Sequence, residues 1–346
     1  MEALISTIYN PPRASRPWRL QEVLPDGVTR YYSLGRWALL HALRACGVGS
    51  GDTVLVPGLI CRDVLASINA LGAHPVFYPV TRQLRAALGA DTAPPARAVL
   101  AVNYFGFPQD LGIFRSYCAR TGAALVEDNA HGLFSRDTDG RLLGSRGDAA
   151  VFSFRKTIAV PDGAALVLNG GRTIVESTAP ESVPVPMRYR VKQAFRPVAS
   201  AAGPRRTSAI IDGVRRLRQV TTGNAVTPGS PDAEVRIPGP PQPTALIGGP
   251  ITVADPEAEG RRRRQLYEIA AGIAERAGGS LVFPVLPPNV VPYGLPMSVT
   301  PASLDRLNAA VRGHGLQLVS WPDLPAAVAP GAPDHYRQLM VMPFLW

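Results

Sequence analysis

Between Ser33 and Leu168 short apolar runs alternate with amphipathic ones, and that alternation restricts the chain to one class of architecture. SLGRWALLHALRACGV, starting at Ser33, carries apolar residues at helical spacing and stops at Gly47 and Gly49. GDTVLVPG follows as a short buried strand ended by a Pro-Gly turn, then CRDVLASINALGA as a helix and HPVFYPV as a strand. ARAVLAVNYFG, FRSYCARTGA and AALVEDNAHG repeat strand, helix and strand, and DAAVFSF and GAALVLNGG add two more strands. Apolar strands separated by amphipathic helices predict an α/β fold, with a mostly parallel central sheet covered by helices on both faces. In such sheets the polar residues at carboxyl strand ends line the ligand crevice. That selects Asn103, Glu127, Asp128, Asn129 and His131.

The remaining chain reads differently. Residues 1–30 are expected to form an N-terminal arm and 31–171 the large α/β domain. Residues 172–258 are rich in Pro, Gly and Arg, with helices expected around Arg188 to Phe195 and Ala209 to Val220. From 259 to 346 order returns as a small C-terminal α+β domain: a helix from Arg261, strands near SLVFPVL and YGLPMSVT, a helix in SLDRLNAAVRGHG, then LQLVSWPDLP. At 346 residues and 46% hydrophobic, the chain can bury a large core and a smaller partner, which excludes wholesale disorder.

No apolar run reaches the ~18 residues of a membrane span, and the N-terminus has no signal-peptide core. The cysteines Cys46, Cys61 and Cys118 lack CxxC spacing and read as reduced thiols of a cytoplasmic protein, with no metal site. A net charge of +10 suggests a polyanionic partner, but aromatics are not interleaved with the arginines as a nucleic-acid stacking platform requires. The densest run, Arg261 to Arg264, opens a helical pattern and reads as a solvated face. Neither nucleic acid nor membrane is expected as a partner; phosphorylated small molecules fit the charge.

Two segments carry chemistry. In VEDNAHG, Val126 to Gly132, Asp128 could hold a cationic ring nitrogen through a charge-assisted hydrogen bond, although an isolated strand-end Asp more often caps a helix. His131 could stack on a planar ligand or be an ordinary satisfied side chain. In DAAVFSFRKTIAVPDGAALV the lysine is informative. The 36 basic residues include only two lysines, Lys156 and Lys192. A guanidinium replaces an ammonium as a generic cation but cannot form a Schiff base, so a Lys retained between two strands of the crevice is a candidate nucleophile.

VEDNAHG, followed by GDAAVFSFRK leading to PDGAAL, resembles the DegT–StrS family of sugar-nucleotide aminotransferases, which are fold-type I pyridoxal-phosphate enzymes. The family's motifs are Val-Glu-Asp-Ala-Ala-His, then Gly-Asp-x-x-x-Phe-Ser-Phe-His-x-x-Lys leading to Gly-Glu-Gly-Gly. The stretch from ALLHALRACGV to HPVFYPV is similar to the family's first helix, strand, helix and strand. NYFGFPQDL stands in place of its His-Leu-Tyr-Gly segment, and YGLPMSVT through WPDLP looks like its small C-terminal domain.

The resemblance implies that Asp128 holds the pyridine nitrogen, that His131 lies near the ring and that Lys156 forms the Schiff base. It further implies that the phosphate is bound by the amides of Gly35 and Arg36 at a helix start and by the Ser153 hydroxyl. Counting forward from Ser153, the family's lysine falls on Ile158; counting back from Asp162-Gly163, it falls on Lys156. A two-residue deletion between Phe154 and Lys156 reconciles the two registers. The family's ring-stacking aromatic aligns with Cys61, and its Gly-x-Asn-x-Arg-Met motif, which reaches the partner subunit's phosphate, has only Gly223-Asn224 as an echo. Arg36 and Arg155 adjoin the phosphate anchors and are expected to replace that contact.

The expected function is therefore a pyridoxal-phosphate-dependent aminotransferase, a homodimer, passing an amine from a donor such as glutamate to a keto sugar or similar keto intermediate. The pathway expected is secondary-metabolite or polysaccharide biosynthesis. The altered motifs leave two alternatives: elimination or dehydration on the same scaffold, or a non-catalytic partner subunit.

Overall fold

The computed structural model describes residues 14–89, 93–172, 181–187, 189–191, 231–314 and 316–344. Its centre is a seven-stranded sheet. Strands β1 (Val28–Tyr32), β2 (Thr53–Pro57), β3 (His74–Tyr78), β4 (Ala98–Val102), β5 (Ala124–Asn129), β6 (Ala149–Ser153) and β7 (Ala164–Leu168) lie in the order β1-β7-β6-β5-β4-β2-β3. Pairing is parallel from β3 through β6, and only β7 runs against its neighbours β6 and β1. Of the five inner strands, β4 to β7 are buried along their whole length and β2 at all but its first residue, whereas the edge strands β1 and β3 are only half-buried.

Helix α1 (Gly35–Ala45) turns Ala38, Leu39, Leu40, Ala42 and Leu43 into the core and packs over β6 and β7. It ends where Gly47, at φ 79°, adopts the left-handed turn. The helix expected from Cys61 begins as a 3-10 turn at Arg62–Val64 before α2 (Leu65–Asn69), and α3 (Gly112–Thr121) joins β4 to β5. Chain order reverses between β2 and β4, so the crevice of an open α/β sheet falls there and beside β5 and β6.

The C-terminal part builds a second, antiparallel sheet from β8 (Ser280–Leu281), β9 (Gly294–Ser298), β10 (Val319–Ser320) and β11 (Leu339–Pro343), in the order β10-β11-β9-β8. Helices α4 (Pro256–Arg276) and α5 (Pro301–Gly313) accompany it. Asp255 caps α4 by accepting from the Ala258 amide at 2.8 Å, with Pro256 as its first residue.

Three readings are revised. Val28, Thr29 and Arg30, inside the stretch expected to be an arm, belong to β1 and pair with β7. Strand β11 was not anticipated. The third revision matters most: the Arg261 to Arg264 run is not a solvated face. Arg262 and Arg263 are buried, 5% and 0% exposed, and both pair with Glu259, itself fully buried. The buried stripe of α4 runs Glu259, Arg262, Arg263, Leu266, Tyr267, Ala270, Ile273 and Ala274, one continuous helical face whose first turn is charged. Of the helices expected in the middle segment, Ala209 to Val220 lies outside the described residues and so does most of Arg188 to Phe195.

Candidate active site

At the carboxyl end of the large sheet lies a cavity of about 290 Å³. Most of the residues selected from the sequence line it: Gly35 and Arg36 at the start of α1, Asn103 after β4, Asp128 and His131 at the end of β5, and Ser153, Arg155 and Lys156 at the end of β6, whereas Glu127 and Asn129 do not. Lys156 ends a single 3-10 turn, Phe154–Lys156, that follows β6 directly. Ile158, the other position at which the lysine could fall, is fully buried in the apolar core.

The acidic pair at the end of β5 does not act as a pair. Successive strand residues face opposite ways, so Asp128 faces the cavity while Glu127 faces the other side. There Glu127 binds buried Arg146 at 2.7 Å and accepts from the Asn103 side chain. Asn103 in turn donates to Asn129 at 2.6 Å, so Asn103, Glu127 and Asn129 form a structural network. Asp128 Oδ1 accepts from the Ala130 amide at 2.8 Å, and Oδ2 has no hydrogen-bond partner among the described residues. Burial raises its carboxyl above the usual range, opposed by that amide and by the Lys156 charge.

His131 is fixed on three sides. Its ring stacks on Tyr293 at 4.2 Å between centroids and lies parallel to Phe105 at 5.4 Å. The Phe105 amide donates to Nδ1 at 3.3 Å, and Nε2 is 3.1 Å from Lys156 Nζ. Burial, then the Lys156 and Arg263 charges, hold the imidazole well below its usual pKa, so it is neutral at pH 7. Which of Nε2 and Lys156 Nζ donates across their contact follows the tautomer of the ring and the charge of the amine. Phe105 reaches this position with φ 56°, a left-handed backbone that costs an L-residue roughly 1–2 kcal/mol. Its carbonyl is held by the Tyr293 amide at 2.9 Å.

The opposite end of the cavity suits an anion. No side chain caps α1, which leaves first-turn amides at the positive end of the helix dipole. A Cβ added to Gly35 would stand 3.9 Å from that of Ser153, so the helix start and the serine adjoin. The Ser153 hydroxyl has no partner among the described residues. Arg36 pairs with Asp63 at 3.7 Å, and Arg155 is exposed at the rim. A carboxylate, a primary amine, a free hydroxyl and an uncapped helix start around one cavity match the ring nitrogen, aldehyde and phosphate of pyridoxal phosphate.

Cys61, where the resemblance places a ring-stacking aromatic, lines the cavity with a thiol that burial pushes up to about 12. Aromatic surface comes instead from the C-terminal part, as Tyr293 and Trp321. Sequence reasoning missed both, together with Phe105 and Arg263. YGLPMSVT and SWPDLP were visible as strands, but nothing local shows that residues so far along the chain return to this cavity.

Residues 32–179 match the DegT/DnrJ/EryC1/StrS aminotransferase family. A 143-residue stretch is 34% identical to the L-glutamine:2-deoxy-scyllo-inosose aminotransferase of Streptoalloteichus tenebrarius, covering 39% of this chain and 33% of that protein. The matched stretch thus spans only a third of that relative's length. Among solved structures, DesV of S. venezuelae superposes with a TM-score of 0.56 at 20% identity, over 99% of this chain and 88% of the other. The putative sugar aminotransferase Spr1654 of Streptococcus pneumoniae gives 0.56 at 14%, over 100% and 90%. The fold is the one that these solved structures share.

Proposed function

From the match of residues 32–179 to the DegT/DnrJ/EryC1/StrS aminotransferase family, we infer a pyridoxal-phosphate-dependent aminotransferase that acts on a keto sugar or similar keto intermediate. The observation that carries this reading is the meeting of Lys156 and Asp128 in one cavity with the uncapped start of α1. The S. tenebrarius relative is named for an inosose acceptor and L-glutamine as donor. For this chain the proposed donor is glutamate or glutamine, the setting secondary-metabolite or polysaccharide biosynthesis, and the working unit a homodimer.

Gly35, Arg36 and Ser153 would hold the phosphate, with Arg36 and Arg155 as neighbouring guanidiniums, while Asp128 would hold the ring nitrogen and Lys156 the aldehyde carbon. The cofactor, when bound, supplies an electron sink for a carbanion next to the amino nitrogen. Asp128 Oδ2 keeps a positive charge on its partner nitrogen through a charge-assisted hydrogen bond. Lys156 Nζ would take up the substrate's proton and return it, as base and then acid. His131 Nε2 orients that amine, and Tyr293 and Trp321 close one side against water.

The first half-reaction tests this. Cofactor-loaded protein given L-glutamate or L-glutamine, without acceptor, should release the corresponding keto acid stoichiometrically. Release with neither donor contradicts the reading.

A further inference from the structure

Arg263 is fully buried, and its guanidinium has five N–H donors, all of them used. Nε donates to Glu259 at 2.6 Å. Nη1 donates to the carbonyls of Pro292 and Tyr293 at 3.2 and 3.3 Å. Nη2 donates to the carbonyls of Lys156 and Thr157 at 3.1 and 3.0 Å. One planar group therefore grips two pieces of main chain far apart in sequence.

Those two pieces support the two sides of the contact between Lys156 and His131. The Lys156 carbonyl belongs to the residue whose Nζ faces His131 Nε2 at 3.1 Å. The Tyr293 carbonyl belongs to the residue whose ring supports His131 at 4.2 Å. The Tyr293 amide also holds Phe105, whose own amide binds His131 Nδ1.

We propose that Arg263 is a positioning residue for the lysine: by tying the Lys156–Thr157 turn to the Pro292–Tyr293 segment, it sets the distance and direction at which Lys156 Nζ meets His131 Nε2. The requirement is for a fork rather than for charge. An ammonium has three donors on one atom and cannot span two pairs of carbonyls while also reaching Glu259. The turn itself supplies little restraint, because it is one 3-10 turn with only the Thr157 and Ile158 amides returning to the Phe154 carbonyl. This inference gives Arg263 a part in the proposed transamination, yet it concerns an arrangement present without cofactor and can be read there.

The test uses Arg263→Lys and Arg263→Gln in the full chain. The first readout is the ¹⁵N shifts of the His131 ring in cofactor-free protein, which report which nitrogen bears hydrogen. The second is the rate at which pyridoxal phosphate becomes attached at Lys156, trapped by borohydride and mapped by peptide. Cooperative thermal unfolding establishes that each variant folds.

The proposal predicts that a folded variant moves the His131 ring-nitrogen shifts away from the parent values and attaches cofactor at least tenfold more slowly. A purely structural role would lower the melting temperature and leave both readouts at the parent values; a folded variant with that behaviour overturns the proposal. Unfolding of both variants also overturns it, because the guanidinium would then hold the whole fold rather than the turn. If the parent itself attaches no cofactor, the functional reading fails, and the ring shifts alone still decide the role of Arg263.

Discussion

Lys156 Nζ stands 3.1 Å from His131 Nε2, at the junction of two parts of the chain that come together only in three dimensions. Lys156 follows β6 by one 3-10 turn, whereas the stack behind His131 is completed by Tyr293 at the start of β9. The amine is therefore held by the large sheet from below and by C-terminal side chains from above. Its position depends on both parts being docked.

Asp128 should impose a pH dependence on stability. Its carboxyl is raised by burial, so its contribution is fully present below the ordinary carboxylate pKa and is lost as pH rises through the raised value. Cofactor-free Asp128→Asn should accordingly gain stability over the parent as pH is raised from acid to neutral, in urea titrations at several pH values. The same variant should lose about two orders of magnitude in the amino-donor half-reaction. Reaction at the parent rate would reduce Asp128 to a turn residue that accepts from the Ala130 amide.

The phosphate end makes a second prediction. Arg36 is held beside the start of α1 by Asp63 at 3.7 Å, and Arg155 lies on the same cavity. Arg36→Ala should weaken cofactor affinity at least tenfold, about 1.4 kcal/mol, and Arg155→Ala should act in the same direction. Equilibrium titration of each variant and of the double variant measures it. Unchanged affinity in all three would leave the phosphate to the helix amides and Ser153.

Trp321 is half-buried on the cavity wall, with its ring 4.8 Å from Phe105 and 5.8 Å from His131 between centroids. Because Cys61 offers no ring face, a bound cofactor should lie within contact of this indole. Pyridoxal phosphate should quench a substantial part of the tryptophan emission, and Trp321→Phe should remove that quenching. Equal quenching in parent and variant would assign it to another tryptophan and take Trp321 out of the cofactor's surroundings.

Much of this was legible along the chain because strand and helix periods are local. Strands β4 to β7 announce themselves as apolar runs, and Asn103, Asp128, His131 and Ser153 at the carboxyl ends of β4, β5 and β6 fall on the cavity as the geometry of parallel sheets requires. Lysine scarcity singled out Lys156 before any coordinates did. What stayed hidden depends on long-range docking. Trp321 and Tyr293 look like strand residues of a separate unit until the two sheets are brought together. Arg263 is an instructive failure of a different kind. Projecting Leu266 and Tyr267 back by one helical turn lands on Arg262 and Arg263, and a further turn lands on Glu259, so the buried stripe was present in the sequence. Reading RRRR by charge density alone, rather than by position on the helix, assigned all four arginines to water. Glu127, selected for the crevice together with Asp128, turns away from it for a reason that was equally local: strand alternation sends adjacent side chains to opposite faces.

The account stands on Lys156 being the residue that takes the cofactor. Purified protein mixed with pyridoxal phosphate, reduced with borohydride and digested should yield a single pyridoxyl-modified peptide carrying Lys156, and Lys156→Ala should yield none while folding as the parent does. Modification at Lys192 in its place, or no modified peptide from the parent chain, would contradict it.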